Sequence, residues 1–266
     1  MAVAENFNTS SLNLKSGSLE VRLAENSLEI DAAQALRYNI FYEEMKANST
    51  IKQNKIKRDV DEFDHYFDHI LVFDNNIKGS TKEKVIGTYR LNRGEQFNNN
   101  PFYTSNEYNI DSLLKFNGNI LELGRSCVAK DYRTGATMQL LWTFIAQYVL
   151  KYEISIMFGC ASFPGIKPNV HAKSFDYLYR NYLAPENIRP KALKDRFIEM
   201  QAIGVRKINF KEFLSSIPPL IKGYIRLGAF IGDGAVIDYD FNTTDVCIVL
   251  PTEKIASRYK DHYDRK

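Results

Sequence analysis

The chain has 266 residues, 44% of them apolar, enough to bury a sizeable core without disulfide or metal staples. Its 35 Lys and Arg against 32 Asp and Glu leave a formal net charge of +3, too small a balance for general nucleic-acid binding. Cys127, Cys160 and Cys247 are far apart and form no C-x-x-C pair, which argues against a disulfide framework or a cysteine zinc site and suits a reducing cytoplasm.

Residues 1–18 are polar, without a basic start leading into an apolar run, and read as a frayed tail rather than a secretion signal. Leu19-Glu20-Val21-Arg22-Leu23 alternates as a strand does, and 31–45 carries Ala32, Ala35, Leu36, Ile40 and Phe41 at helical spacing. The basic stretch 46–58 is expected as an exposed loop or helical extension. Ile70-Leu71-Val72-Phe73 runs into Asp74-Asn75-Asn76 as a buried strand entering a turn, with Val85-Ile86-Gly87-Thr88-Tyr89-Arg90-Leu91 as its antiparallel partner.

Residues 92–118 read as a loop with a short helix near 111–116, after which the sheet resumes over 120–128. A helix over 140–151, a strand over 154–160 and a helix over 169–180 follow, an alternation that gives an α/β or α+β sheet. Pro185, Pro190 and Pro218-Pro219 punctuate the second half without a flexible linker. Tyr224-Ile225-Arg226-Leu227, Ala235-Val236-Ile237 and Val246-Cys247-Ile248-Val249-Leu250 are expected as closing strands, and 251–266 as a polar tail. The best apolar run, 140–150, is interrupted by Gln147 and falls short of the ~20 residues that span a bilayer, so membrane contact is expected to be peripheral.

The chemistry concentrates in Glu122-Leu123-Gly124-Arg125-Ser126-Cys127-Val128, followed by Tyr132-Arg133-Thr134-Gly135 and the helix bearing Leu140, Leu141 and Trp142. A strand ending in a carboxylate and an arginine, then a basic glycine turn, then a helix, can set a base beside a backbone cradle for a phosphate-bearing acyl donor. Glu122 is the candidate general base, or else a carboxylate paired with Arg125. Arg125 lies three residues on and faces the other way unless a bulge turns it, its alternative being an ion pair with Asp61 or Asp64. Amides around Cys127 and Val128 can serve an oxyanion, and Ser126 can donate to the departing sulfur or make a plain hydrogen bond.

Cys127 lacks a paired histidine and reads as a small buried residue rather than a nucleophile. Asp59, Asp61 and Asp64 suit a substrate ammonium or a helix start, and Arg90 or Arg93 a carboxylate. His65, His69, His171 and His262 have no zinc spacing, so no metal is expected. From Arg189 to Lys211 seven bases outnumber Asp195 and Glu199, which suits an acidic protein partner, anionic lipid or a solvated face.

The order and spacing of Arg37-Tyr38-Asn39-Ile40-Phe41, Asp59-Val60-Asp61-Glu62-Phe63-Asp64, Gly87-Thr88-Tyr89-Arg90-Leu91 and Glu122-Leu123-Gly124-Arg125 resemble the acyl-homoserine lactone synthases. Those are GNAT-like N-acyltransferases that use acyl carrier protein thioesters. The resemblance is closer to the ornithine N-acyltransferases of ornithine-lipid synthesis. It extends through Tyr-Arg-Thr-Gly, Gly159-Cys160-Ala161-Ser162-Phe163 and Pro218-Pro219-Leu220-Ile221-Lys222-Gly223-Tyr224, and covers roughly residues 19–250.

That resemblance implies a single domain over 19–250 with an α/β (α+β), GNAT-like, mainly antiparallel sheet flanked by helices and a C-terminal extension. The implied reaction moves a 3-hydroxyacyl group to the α-amino group of ornithine. Glu122, Arg125 and Ser126 would act in catalysis, Asp61, Asp64 and Arg90 on the amine, and Cys127, Val128, Arg133 and Gly135 on the acyl donor. The usual GNAT loop runs Arg/Gln-x-x-Gly-x-Gly/Ala, whereas Arg133 here is one residue from Gly135, which favours the single phosphodiester of a carrier-borne phosphopantetheine over a coenzyme A pyrophosphate. No cofactor is then expected beyond the carrier's own arm, and acyl carrier protein becomes the expected partner of the basic stretch. A cytoplasmic enzyme touching the inner membrane face follows from the lipid product. A lactone synthase or another amino-acid N-acyltransferase is the alternative enzyme, and a non-catalytic carrier-binding or membrane-binding module the alternative class.

Overall fold

A computed structural model describes residues 12–94, 101–202, 204 and 206–255. Among these, ten strands are β1 (Asn13–Ser16), β2 (Leu19–Leu23), β3 (Asp68–Asp74), β4 (Val85–Asn92), β5 (Tyr108–Asn109), β6 (Asn119–Val128), β7 (Ile154–Pro164), β8 (Lys191–Ala192), β9 (Phe230–Asp238) and β10 (Thr243–Pro251). They join in the order β1-β2-β3-β4-β6-β7-β10-β9-β8-β5. Only β6–β7 and β8–β9 pair in parallel. The expected mixed, mainly antiparallel GNAT-like sheet is therefore present.

Helices flank it: α1 (Ser27–Tyr38), α2 (Ile51–Ile56), α3 (Thr81–Lys84), α4 (Asp111–Leu114), α5 (Gly135–Lys151), α6 (Ala172–Tyr182), α7 (Phe210–Ser216) and α8 (Pro219–Leu227). The Asn26 side chain caps α1 by accepting from the Glu29 N–H, and the helix then widens into a π-helical turn over Asn39–Glu44. Leu141, Phe144, Ile145 and Tyr148 of α5 pack in one core with Ile70, Val72, Leu121 and Val246 of the sheet. That packing holds the first turn of α5 at the end of β6.

Two expectations are corrected. Residues 13–16, placed in a frayed tail, form β1 and pair with β2 across Gly17-Ser18, where Gly17 has φ +60. A glycine at positive φ is what a two-residue hairpin turn needs, and it was hidden by the polar side chains around it. Residues 1–11 lie outside the described residues. Tyr224-Ile225-Arg226-Leu227 belongs to helix α8, not to a strand: Pro219 opens it, Gly228 ends it at φ +96, and Ile221, Tyr224 and Ile225 form its buried face. At the other end of the chain, 252–255 continue as a helical turn and 256–266 lie outside the described residues.

The feature that makes the site is a separation of β6 from β7. They pair only from Asn119↔Ile154 to Glu122↔Phe158. Beyond that point β6 continues along β4 to Val128 and β7 continues along β10 to Pro164. Gly159 stands at the fork, where a Cβ would collide with the Leu123 carbonyl, so only glycine allows the two strands to touch there before parting.

Candidate active site

The fork opens onto a mostly apolar cavity of about 660 Å³, lined by Gly124 to Val128 of β6, by Cys160, Ala161 and Ser162 of β7, and by Phe41, Met138, Trp142 and Leu220 from the helices. Tyr89, Arg90, Tyr103, Glu122, Asp238 and Asp245 bring polar groups to its wall. A mostly apolar cleft with a few polar groups on its wall is the ordinary form of a small-molecule or acyl-chain site.

The bulge that Arg125 needed exists. The β4–β6 register shifts between Thr88↔Cys127 and Arg90↔Gly124, and Arg125 sits in it at φ +51. Both Glu122 and Arg125 consequently face the cavity. Glu122 is 1% exposed, and its carboxylate accepts from the Tyr103 N–H (3.0 Å), the Thr104 N–H (2.6 Å) and the Thr104 hydroxyl (2.6 Å). Burial raises its pKa, and those three donors work against the rise. Glu122 thus fastens the 103–104 segment over the site as well as facing it.

Arg125 donates to Asp59 (3.3 Å) and Asp61 (3.0 Å) and lies between the rings of Tyr103 and Phe241, 4.7 and 4.5 Å from their centroids. The partnership with Asp61 is the ion pair that the sequence left open. Arg37, fully buried, donates to Asp59 and Asp64, each at 2.8 Å. Arg90 reaches Asp61 at 2.6 Å and Asp64 at 3.0 Å. Burial alone would raise the Asp64 pKa, but the Arg37 and Arg90 guanidiniums prevail and hold it well below the carboxylate range. Asp61, Asp64 and Arg90 therefore do come together beside the cavity, with their charges satisfied by one another.

Cys127 and Val128 separate by direction. The Ala129 N–H donates to the Ile86 carbonyl of β4 at 2.7 Å, so alternation turns Cys127 toward β4 and Val128 toward the open side of the fork. Arg133 Nε reaches the Val128 carbonyl from that side at 2.9 Å. Burial pushes the Cys127 thiol up to about 12, which removes it as a thiolate nucleophile. The Arg133 guanidinium is clamped by Glu44 through two bonds of 2.5 and 2.8 Å. Thr134 caps α5 by accepting from the Thr137 N–H, and a Cβ on Gly135 would meet nothing within 4 Å. Gly135 and Ala136 are exposed, so this end of the 17-residue helix, apart from the capped Thr137 N–H, is open to solvent at the end of β6.

Ser126 lines the cavity beside the Tyr89 hydroxyl, which in turn contacts the Tyr224 hydroxyl at 2.6 Å. Burial pushes Tyr89 up to about 12, so the chain Ser126–Tyr89–Tyr224 is a protonated relay at neutral pH. Sequence reasoning missed both tyrosines as site residues, because the strand reading of 224–227 sent Tyr224 elsewhere. It also missed Glu44, which only the π-helical turn after α1 brings to Arg133. Spacing could have flagged Tyr89, one residue before Arg90.

Residues 36–143 match the family described as Acetyltransferase (GNAT) domain. The chain is 46% identical over 250 residues, 93% of its length and 85% of the relative's, to an L-ornithine N(alpha)-acyltransferase of Agrobacterium fabrum. It is 37% identical over 250 residues, 94% of its length and 96% of the relative's, to one of Rhodobacter capsulatus. Among solved structures it is similar to the AHL synthase LasI, with a TM-score of 0.47 and 13% identity over 87% of this chain and 89% of that one.

Proposed function

The chain belongs to the L-ornithine N(alpha)-acyltransferases, and on that footing we propose that it moves a 3-hydroxyacyl group from acyl carrier protein to the α-amino group of ornithine, giving a lyso-ornithine lipid. The observation that carries the acyl-transfer chemistry is the fork between β6 and β7 over an apolar cavity. An extended thioester laid along the free side of β6 meets the Val128 amide as an oxyanion donor, and its acyl chain enters the cavity. The α-ammonium gives up a proton, directly or through water, to Glu122, whose pKa burial raises above the ordinary carboxylate value. The amine nitrogen then bonds to the carbonyl carbon, the carbon–sulfur bond breaks, the thiolate takes a proton from the Ser126–Tyr89–Tyr224 relay, and the second proton shed by the nitrogen as it becomes the amide refills that relay.

The donor's phosphodiester fits the amides at the start of α5, with Arg133 recruited from Glu44. No metal or nucleotide enters this reading, since the phosphopantetheine arrives on the carrier. Within the basic stretch, Arg189, Lys191, Arg196 and Arg206 are engaged with Ala184, Asp233, Asn106 and Glu212. Lys194, Lys207 and Lys211 stay exposed, and these are the bases we assign to the acidic carrier. No helix of the described residues is long and apolar enough to cross a membrane. Contact with the inner membrane face would be transient, during release of an amphiphilic product.

The test is to incubate the purified protein with a panel of acyl-carrier thioesters and amino acids and identify products by mass. N-3-hydroxyacyl-ornithine is expected as the main product; a protein that acylates no amino acid from any carrier thioester would sink the reading. Reversing Lys194, Lys207 and Lys211 to Glu is expected to raise KM for the carrier about three- to ten-fold at low salt, and KM for ornithine hardly at all. Equal effects on both would remove the docking assignment.

A further inference from the structure

Resting on the reading of ornithine as the amine, we propose that Glu107, Asp238 and Asp245 receive its δ-ammonium, so that they, and not Asp61 and Asp64, select the substrate by its side chain. One ligand oxygen from each of the three lies within 4.8 Å of the others. All three are buried, at 2%, 6% and 5% exposure, and none forms a salt bridge among the described residues. Asp238 and Asp245 line the same cavity as Glu122, Ser126 and Val128.

A cluster of acids alone would say little. Here two buried oxygens add to it. Glu107 Oε2 and Asp245 Oδ1 have no hydrogen-bond partner among the described residues, while the Thr243 and Ser162 hydroxyls stand beside the Asp245 carboxylate and the Cys160 thiol beside Glu107. Buried acceptors with nothing to accept from are costly, and a cation with several N–H groups would satisfy them together. Asp238 contributes less freely, since its Oδ1 already accepts from the Asp240 and Phe241 amides.

An alkylammonium carries three N–H donors, one for each carboxylate, and its neighbouring methylenes prefer an apolar wall. Phe241 and Cys160 supply such a wall beside the acids. By position, Asp245 lies opposite Ser162 on β7, the strand that parts from β6 at the fork. β10 is therefore one strand step, about 4.8 Å, from the β7 side of the opened fork, and Asp245 lines the same cavity as Glu122. Ornithine, with four carbons between its nitrogens, can bridge from one to the other. Asp61 and Asp64 lack this freedom, because Arg37, Arg90 and Arg125 already occupy them.

The deciding experiment measures kcat/KM with a fixed 3-hydroxyacyl carrier thioester for ornithine and for norvaline, which has the same carbon chain and no δ-amino group. The wild type is expected to prefer ornithine strongly. Asp245→Asn and Glu107→Gln are expected to raise KM for ornithine about ten-fold or more and to bring the ornithine-to-norvaline ratio toward one. Should a neutral variant fail to fold, Asp245→Glu keeps the charge on a longer arm and is expected to shift preference toward the shorter 2,4-diaminobutyrate. Retention of the full ornithine preference in all three variants overturns the proposal, as does equal use of ornithine and norvaline by the wild type. One divalent metal ion per chain in native mass spectrometry, lost in Asp245→Asn, would also overturn it by making the trio a metal site. A wild type that acylates no amino acid at all would instead defeat the ornithine reading beneath it.

Discussion

Two groups of three acids flank the same cavity and differ in what surrounds them. Asp59, Asp61 and Asp64 are interlocked with three arginines, among them the fully buried Arg37. Glu107, Asp238 and Asp245 are comparably buried and have no salt-bridge partner among the described residues. In the first group Asp64 and Asp59 are held ionised, lowered despite their burial. The second is pushed the other way, with Glu107 and Asp245 both raised, burial being the largest cause. Acidity in the sequence therefore says nothing about a free charge. Compensation decides whether an acid is a brace or a receptor.

The largest expected effect comes from breaking the brace. Arg37→Ala leaves Asp59 and Asp64 buried with less than their share of positive charge, and should cost about 3–5 kcal/mol in chemical denaturation. A loss below about 1 kcal/mol would mean that the network relaxes into solvent and that the two groups differ less than their geometry says.

Glu122 stands between the two cases, a buried carboxylate satisfied by amides and a hydroxyl rather than by cations. Glu122→Gln puts an amide donor against either the Tyr103 or the Thr104 N–H. The expected loss is about 1–3 kcal/mol of stability, together with a fall in kcat. Unchanged thermal stability would show that fastening the 103–104 segment is not its task, and an undiminished kcat would remove it as the base.

Much of this was legible beforehand because period and punctuation are local. The strand at Leu19–Leu23, the β3–β4 pair and the Glu122 to Val128 strand all follow from alternation bounded by turn residues. Three things were not legible, for different reasons. Tyr224-Ile225-Arg226-Leu227 is too short a window to separate a strand from the end of a helix, although Leu220 and Ile221 upstream complete the helical period. The Arg37, Arg90 and Arg125 brace joins segments up to 88 residues apart, and no local pattern encodes which acid each arginine will meet. Glu107, Asp238 and Asp245 lie in a connecting segment and two closing strands, where each looks like an ordinary surface carboxylate until the sheet order brings them together.

The smallest effect is the sharpest, because the two groups predict opposite slopes of stability with pH. His69, buried against the Asp64 carbonyl, is lowered to about 4, first by burial and then by Arg37. The folded protein refuses a proton that the unfolded chain accepts below about 6.5, so this contribution declines as pH falls from about 6.5 to about 4. Glu107 is raised to about 8 by burial and by the carboxylates of Asp245 and Asp238, with Cys160 and Arg196 as its other neighbours. Its folded form keeps a proton that the unfolded chain releases above about 4.3, so stability declines as pH rises toward 8. Below about 6.5 the two slopes oppose each other; between about 6.5 and 8 the carboxyl group acts alone and removes at most about 2 kcal/mol. Glu107→Gln should flatten that interval in a denaturation series while leaving the acid-side decline from His69 in place. A variant that kept the wild-type slope would show that Glu107 is already ionised and compensated, and the contrast between the two groups would close.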